Sequence, residues 1–359
     1  MTSKKKNIIN TSWLRLAILI LCIWYIIPGT LTAGNPDRQG QAGAYELTIN
    51  PWARAAALHS MHTSMTWGVE SLWQNPAGLS KITKTEIMFG HMQYLKGTGI
   101  SLNSFGFAQK MGKSGALGIT LTAMDLGDII VTTSNLPEGT GATYSPSFFN
   151  LGLSYAYTFD NKVSVGFLVR GVSESTSDLS AFGFALDAGV QYVNGPQDNF
   201  KFGISLRNIG SPMRFSGEGL SFQGDSPEGE PKYQLTYDQR SASFELPSLL
   251  NIGTSYDINF DKRNRLTVLA NFTANSFSGD DLGGGIEYGF NDIFFLRGAY
   301  KYQLDTDINE RNVYTGLAAG FGFEVPFKKK SKQKLGIDYG YRTTNPFNGS
   351  HNLSVRISI

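Results

Sequence analysis

The feature that most constrains this chain is an alternation of period two. Fourteen short stretches place large apolar residues on one parity and small or polar residues on the other. The clearest runs from Phe149 to Phe159: Phe149, Leu151, Leu153, Tyr155, Tyr157 and Phe159 share one parity, and Asn150, Gly152, Ser154, Ala156 and Thr158 the other. The split recurs at Leu335, Ile337, Tyr339 and Tyr341 against Gly336, Asp338, Gly340 and Arg342. It recurs again at Leu353, Val355, Ile357 and Ile359 against Asn352, Ser354, Arg356 and Ser358. Successive side chains of a strand point to opposite sides, so each stretch predicts a strand with one greasy and one small, polar face. A soluble barrel would turn the greasy face inward and a transmembrane barrel would turn it to lipid. Alternation alone does not choose.

Four features select the membrane. The first is the start of the chain. Lys4, Lys5, Lys6 and Arg15 form a basic region, Leu16 to Ile27 an apolar run, and Gly29 to Gly34 a small-residue stretch, which together read as a secretory leader cut near Ala33. The run is too short to span a bilayer as a helix, and Leu21 before Cys22 makes a poor lipobox. Cys22 is the only cysteine, so the exported chain has no thiol or disulfide chemistry. Removing the leader takes four of the 31 Lys and Arg and none of the 29 Asp and Glu, leaving a net −2, a balance that does not suggest nucleic acid. Second, the chain is rich in Gly and aromatics, and Gly183, Gly189 and Gly203 sit on the small parity. Third, mean hydropathy is low and no apolar run of about twenty residues follows position 33, as expected where only alternate strand residues meet lipid.

The fourth feature is the loop pattern. Strands are predicted at Thr85–Tyr94, Thr98–Gln109, Gly115–Met124, Phe148–Phe159, Lys162–Gly171, Leu179–Val193 and Phe200–Asn208. Seven more follow at Ser248–Phe260, Arg265–Thr273, Leu282–Phe290, Ile293–Gln303, Asn312–Pro326, Lys334–Tyr341 and His351–Ile359. Connections after even-numbered strands are short and rich in Gly, Asn and Asp, while the two longest, Asp125–Ser147 and Ile209–Pro247, follow odd-numbered ones. Outer-membrane barrels have short periplasmic turns and long external loops, and an even strand count places both termini at the short-turn end. The expected architecture is all-β: a fourteen-stranded antiparallel transmembrane barrel over 85–359, a leader over 1–33 and a non-strand segment over 34–84. A barrel of this size has a lumen too wide for its own side chains to fill, so residues 34–84 are expected to fold into it as a plug or hatch.

Several short motifs then carry a resemblance. Thr48 to Arg54 (TINPWAR) with Ala55 to Leu58, Leu72 to Leu79 (LWQNPAGL), Leu126-Gly127-Asp128 and Phe295 to Tyr300 (FLRGAY) resemble the PorV/PorQ family of outer-membrane proteins. That family belongs with the type IX secretion system of Bacteroidetes-type bacteria and shares the fold of the fatty acid transporter FadL, whose group also carries an Asn-Pro-Ala motif in an N-terminal hatch. The resemblance spans nearly the whole exported chain through short motifs. It implies a FadL-like barrel and marks Arg54, Asn75, Pro76, Ala77 and Gly78 as hatch residues. It also implies partners among secreted cargo proteins or type IX translocon subunits, with outer-membrane lipid around the wall.

Motifs of catalysis are missing: there is no nucleophile elbow, Walker loop or His-Glu-x-x-His, so no enzyme and no cofactor is expected. His59 and His62 have a helical spacing but no third metal ligand nearby, which favours packing or polar contacts. Asp305, Asp307 and Asn309 start like a calcium loop, but Glu310 stands where glycine is needed and Gly316 where the bidentate Glu belongs. Arg54, Arg170, Arg207, Arg297 and Arg356 are predicted to face the lumen with Asp187, Asp257, Glu287 and Asp338, as a salt-bridge network holding segment to wall rather than a conduit. Lys328, Lys329, Lys330, Lys332 and Lys334 form a solvated run in a predicted periplasmic turn.

Two functions remain. In the first, external loops bind a secreted protein or translocon subunit, because Met213, Phe215, Leu220, Phe222, Tyr233, Leu235, Tyr237 and Phe244 give the loop Ile209–Pro247 an unusual aromatic load. In the second, the same residues gather a hydrophobic small molecule for passage through the hatch.

Overall fold

A computed structural model describes residues 34–228, 231–304, 313–327 and 333–359. The leader at 1–33, the loop residues Asp305, Asp307, Asn309 and Glu310, and Lys328, Lys329, Lys330 and Lys332 lie outside them.

Fourteen antiparallel strands close into one barrel. The first seven are β1 (Thr85–Gln93), β2 (Ser101–Met111), β3 (Gly115–Asp125), β4 (Ser147–Phe159), β5 (Val163–Thr176), β6 (Leu179–Asn194) and β7 (Phe200–Gly210). The rest are β8 (Leu249–Asn259), β9 (Asn264–Asn275), β10 (Asp281–Phe290), β11 (Phe294–Gln303), β12 (Tyr314–Pro326), β13 (Lys334–Thr344) and β14 (Ser350–Ser358). β1 pairs with β14 as well as β2, Ile87 opposite Ile357 and Phe89 opposite Val355, so no edge is left. Within a bilayer that closure satisfies every backbone donor and acceptor.

The parity argument holds strand by strand. In β4 the apolar residues Phe149 to Phe159 are exposed and the intervening small residues are buried. Phe167, Phe182 and Leu353 face outward likewise. A surface this greasy is tolerable only against lipid, and the protein is an outer-membrane barrel. Phe159, Phe260, Phe290 and Phe327 ring the short-turn end on the outer surface, where aromatic side chains suit the headgroup boundary. The turns Asp160-Asn161 and Asn291-Asp292 have positive φ at both residues, the two-residue hairpin geometry whose twist matches the flanking strands.

Two departures from the sequence reading have physical reasons. β5 continues five residues past Gly171, paired through Thr176 with Leu179; Ser173 to Thr176 are polar on both parities, so alternation loses them while the ladder does not. The first described residue also lies at the opposite end of the barrel from the last. Ile359 pairs with Thr85 at the short-turn end, but Gly34 lies against Ser278 and Asp280 in the β9–β10 loop at the other end. Strand parity governs where the barrel's strands end, and residues 50–82 pack against inward-facing strand residues before β1 begins.

Candidate site within the barrel lumen

Residues 50–82 are almost entirely buried among the inward parity of the strands. They form short turns and two short helices, α1 (Ala53–Ala57) and α2 (Ser71–Gln74), too short to stand without tertiary contacts. The wall makes room by using glycine. A Cβ at Gly166 would overlap the Pro76 carbonyl carbon, at Gly189 the Asn75 side chain, and at Gly340 the Ala53 carbonyl. On the other side Trp52, Val69, Leu72, Trp73 and Leu79 pack against Met88, Ala108, Ala116, Ala156 and Leu168 of β1 to β5.

Asn75 joins the segment to the wall. Its Oδ1 accepts from Ala77 N–H at 3.2 Å and so caps the turn Pro76–Lys81. Its Nδ2 reaches the carbonyls of Thr63 at 3.1 Å, Val190 at 3.2 Å and Ile204 at 3.3 Å. Pro76 takes the first helical position, where no N–H is needed. Gly78 lies so close to the Thr66 carbonyl that a Cβ would overlap it. Ala77 is fully buried. The motif is therefore a set of close backbone contacts between segment and wall.

Arg54, on α1, starts a chain of buried charge. Its Nε donates to Glu287 at 3.0 Å, and Nη1 lies 3.5 Å from Glu70. Glu287 also takes Arg297 at 2.7 Å; Arg297 continues to Asp338 at 2.6 Å, and Asp338 to Arg356 at 3.1 Å. Arg356 reaches Glu324 at 3.4 Å, and Lys334 meets Glu324 at 3.1 Å. Acids and bases thus alternate and nearly every charge has two opposite neighbours, the arrangement that offsets burial. Burial by itself would push the Glu70 carboxyl up, but His62, whose Nε2 lies 2.7 Å away, and Arg54 outweigh it and hold it at about 2.

Of the residues that sequence placed in this network, Arg54, Arg297, Arg356, Glu287 and Asp338 belong to it. Arg170 and Asp187 form a separate pair at 2.8 Å, with the guanidinium over the Trp73 ring. Asp257 pairs with Lys201 instead. Arg207 pairs with no carboxylate among the described residues; its Nη2 donates to the Leu47 carbonyl at 3.0 Å. Sequence reading missed Glu70 and Glu324 as members of the network. Glu324 sits on the inward parity of a predicted strand, so the signal was there; Glu70 has no periodic context to reveal it.

Two cavities flank the segment. One, of about 500 Å³, opens toward the long loops and is lined by Tyr45, His59, Met61, Tyr94, Arg207 and Arg342 among others. The other, of about 310 Å³ at the short-turn end, is lined by Arg54, Met65, Trp67, Glu287 and Arg297 among others. Between them Met61 and Met65 form an apolar cluster with Leu58, Leu269 and Ala299, and Met61 lies tight against Gly283. His59 and His62 do not share a ligand: His62 faces Glu70, and His59 packs edge-on against Tyr314 at 5.6 Å. Burial, then repulsion from Lys301 and Arg342, drives the His59 imidazole well below its ordinary value, so it stays neutral.

The long loop divides its aromatic load. Met213 is buried, and Phe215 and Phe244 are half-buried, packing over a cluster with Ala44 and Leu47 at the barrel mouth. Phe222 and Tyr237 stack at 5.5 Å on a separate hairpin, Ser221–Asp225 with Gln234–Asp238, where Phe222 and Tyr233 are exposed and Leu220 and Leu235 half-buried. Residues 34–48 run beneath this loop. Arg38 pairs with Glu245 at 2.8 Å and covers the Phe277 ring at 4.4 Å, and Gly43 N–H donates to the Glu245 carbonyl at 3.0 Å.

No family model matches the sequence, and no curated protein sequence matches it. Solved structures do match in shape. The Pseudomonas putida toluene transporter TodX superposes over 86% of this chain and 97% of its own, with a TM-score of 0.54 at 14% identity. The Ralstonia pickettii toluene transporter TbuX gives 86%, 98% and 0.54 at 15% identity. A Pseudomonas aeruginosa FadL homologue gives 86%, 98% and 0.50 at 12% identity. The barrel therefore has the FadL-type fold, a likeness to channels and transporters rather than to enzymes.

Proposed function

We propose that the protein is an outer-membrane channel for small hydrophobic molecules, with residues 34–84 as a hatch that the solute must pass. The observation that carries this reading is the pair of cavities, one lined by Met61 and the other by Met65, on either side of the apolar cluster that holds both. An apolar, flexible partition between two chambers favours an apolar solute, because methionine side chains repack around one at little cost while the flanking ion network resists displacement. The neighbours named as toluene transporters support the same substrate class. Asn75, Pro76, Ala77 and Gly78 then anchor the hatch and Arg54 ties it to the wall, which leaves Met61–Met65 as the part that moves. In vesicles loaded with the protein, toluene uptake should fall to background when Met61→Cys and Leu269→Cys, from the same apolar cluster, are joined by a short dithiol-reactive crosslinker, and recover on reduction. Uptake that ignores the crosslink places the path elsewhere, and absence of uptake in the unmodified protein ends the channel reading.

A second reading has its own observation. The hairpin carrying Phe222, Tyr233 and Tyr237 is exposed and rigidified by its stacked pair, a form suited to gripping a protein. With the PorV/PorQ resemblance, this supports a role in type IX secretion, with the hairpin holding secreted cargo or a translocon subunit. Deleting residues 221–238 should leave barrel assembly intact and abolish co-purification of those partners. A deletion that recovers them at wild-type yield would remove this reading and leave the channel.

A further inference from the structure

Arg207 and Arg342 differ from the other arginines of the lumen. Both are nine-tenths or more buried, and both line the 500 Å³ cavity. Arg207 Nη2 donates to the Leu47 carbonyl at 3.0 Å and Arg342 Nη2 to the Asn50 carbonyl at 3.2 Å, while the Nε of each has no partner. Among the described residues neither has a carboxylate within ion-pair distance. The carboxylate that lines the cavity, Asp281, is taken by Lys301 at 2.9 Å. A guanidinium cannot discharge by losing its proton, and a carbonyl dipole does not cancel a full charge. Two desolvated positive charges in one chamber call for an anion.

The rest of the lining says what kind. Tyr94, Tyr314 and His59 form a connected set of rings, Tyr94 to Tyr314 at 6.4 Å and His59 to Tyr314 at 5.6 Å, with the Arg342 guanidinium 5.4 Å from the Tyr314 ring. Tyr45 and Phe277 add two more rings to the same cavity. Rings beside guanidinium groups suit a flat body that carries a carboxylate, which offers two acceptor oxygens to a planar fork.

We propose that this cavity binds a compact aromatic carboxylate, its anionic group held by Arg207 and Arg342 and its ring by Tyr94, Tyr314 and His59. The proposal rests on the channel reading and narrows its solute from hydrophobic molecules at large to aromatic anions. An uncharged hydrocarbon leaves both arginines unneutralised, and a small inorganic anion leaves the rings uncovered.

Calorimetry on the full-length protein in detergent tests it with benzoate, toluene, acetate and decanoate as separate probes. Benzoate should bind more tightly than the other three. Arg207→Met and Arg342→Met should each weaken benzoate about ten- to a hundredfold, the loss of a charge-assisted pair, and leave toluene unchanged. Retained toluene binding and heat-modifiable mobility would show that the variants fold; should either fail, Arg207→Lys and Arg342→Lys, which keep the charge but lose the fork, carry the test and should weaken benzoate less. Acetate binding as tightly as benzoate, decanoate binding more tightly, or arginine variants that bind benzoate at wild-type strength would each overturn the proposal. Because equilibrium binding needs no passage through the Met61–Met65 partition, benzoate binding without uptake would retire the channel and keep the site.

Discussion

The two ends of the lumen treat buried charge in opposite ways. Toward the short turns Asp338, Glu324 and Glu70 each stand between two basic groups and Glu287 among three, and the positive charges of Arg54, Arg297 and Arg356 are each met by carboxylates. Toward the long loops Arg207 and Arg342 donate to backbone carbonyls and, among the described residues, meet no carboxylate. The first arrangement fixes the N-terminal segment to the wall; the second holds positive potential in an open chamber. Stability and recognition have thus been assigned to different ends of one tube.

The most damaging way to probe the contrast is Glu287→Gln. It strips the buried Arg54 and Arg297, and the more exposed Arg265, of their shared acceptor, and breaking a buried pair costs about 3 to 5 kcal/mol, read as a lower urea midpoint for the folded, heat-modifiable form. Arg342→Met removes a charge that has no acid to abandon and should change the unfolding free energy by less than about 1 kcal/mol. Equal losses in the two variants would break the comparison.

Acid probes the same end more gently. Glu70 is held at about 2 against an ordinary 4.5, a depressed carboxylate. Its contribution to stability is complete above 4.5 and is lost as pH falls toward 2, because the unfolded chain takes up the proton first. Wild type should therefore lose stability across that window, and Glu70→Gln should start lower and lose less. Parallel pH profiles would show that Glu70 is not the titrating group.

How much of this the sequence shows depends on period. Parity marks Leu153 as lipid-facing and Arg297, Asp338 and Arg356 as lumen-facing, because a strand has two sides and the bilayer accepts one. Parity does not say which acid an inward arginine meets, since that depends on barrel shear and on what fills the lumen; Arg207 therefore shares a pattern with Arg297 and differs from it in partners. Residues 34–84 have no period at all. Their place inside the wall shows in sequence only indirectly, through glycines such as Gly189 and Gly203 on the inward parity. Loop aromatics are equally mute: nothing in the spacing of Met213, Phe215 and Phe222 separates the two that pack on Ala44 and Leu47 from the one left exposed.

Asn75→Ala tests the anchor between the two ends. It removes the cap on Ala77 and the donors to Val190 and Ile204, a loss of about 1 to 3 kcal/mol for carbonyls left buried and unmatched. The barrel should still form, and proteolysis should now cut within residues 60–70. An uncleaved, fully stable variant would mean that the glycine-lined bed alone holds the segment.

The smallest effect on stability belongs to the strap at residues 34–48, and it decides how open the loop-end chamber is. Arg38 and Glu245 are both partly solvent-exposed, so their pair is worth about 0.2 to 1 kcal/mol, and Arg38→Ala should scarcely move the urea midpoint. The strap nevertheless forms one wall of the chamber through Gln39, Tyr45, Thr48 and Ile49. Loosening it should expose the floor. The only cysteine, Cys22, falls in the expected leader, so Ser60→Cys, in the lining opposite the strap, reports access directly. A charged, membrane-impermeant thiol reagent should label Ser60→Cys slowly on intact cells and several times faster when Arg38→Ala is added. Crosslinking Ala42→Cys to Glu245→Cys, whose backbones already pair, should slow the reaction again. Labelling at one rate in all three backgrounds would mean that the chamber is reached without moving the strap, and the unneutralised end of the lumen would then stand open to the outside at all times.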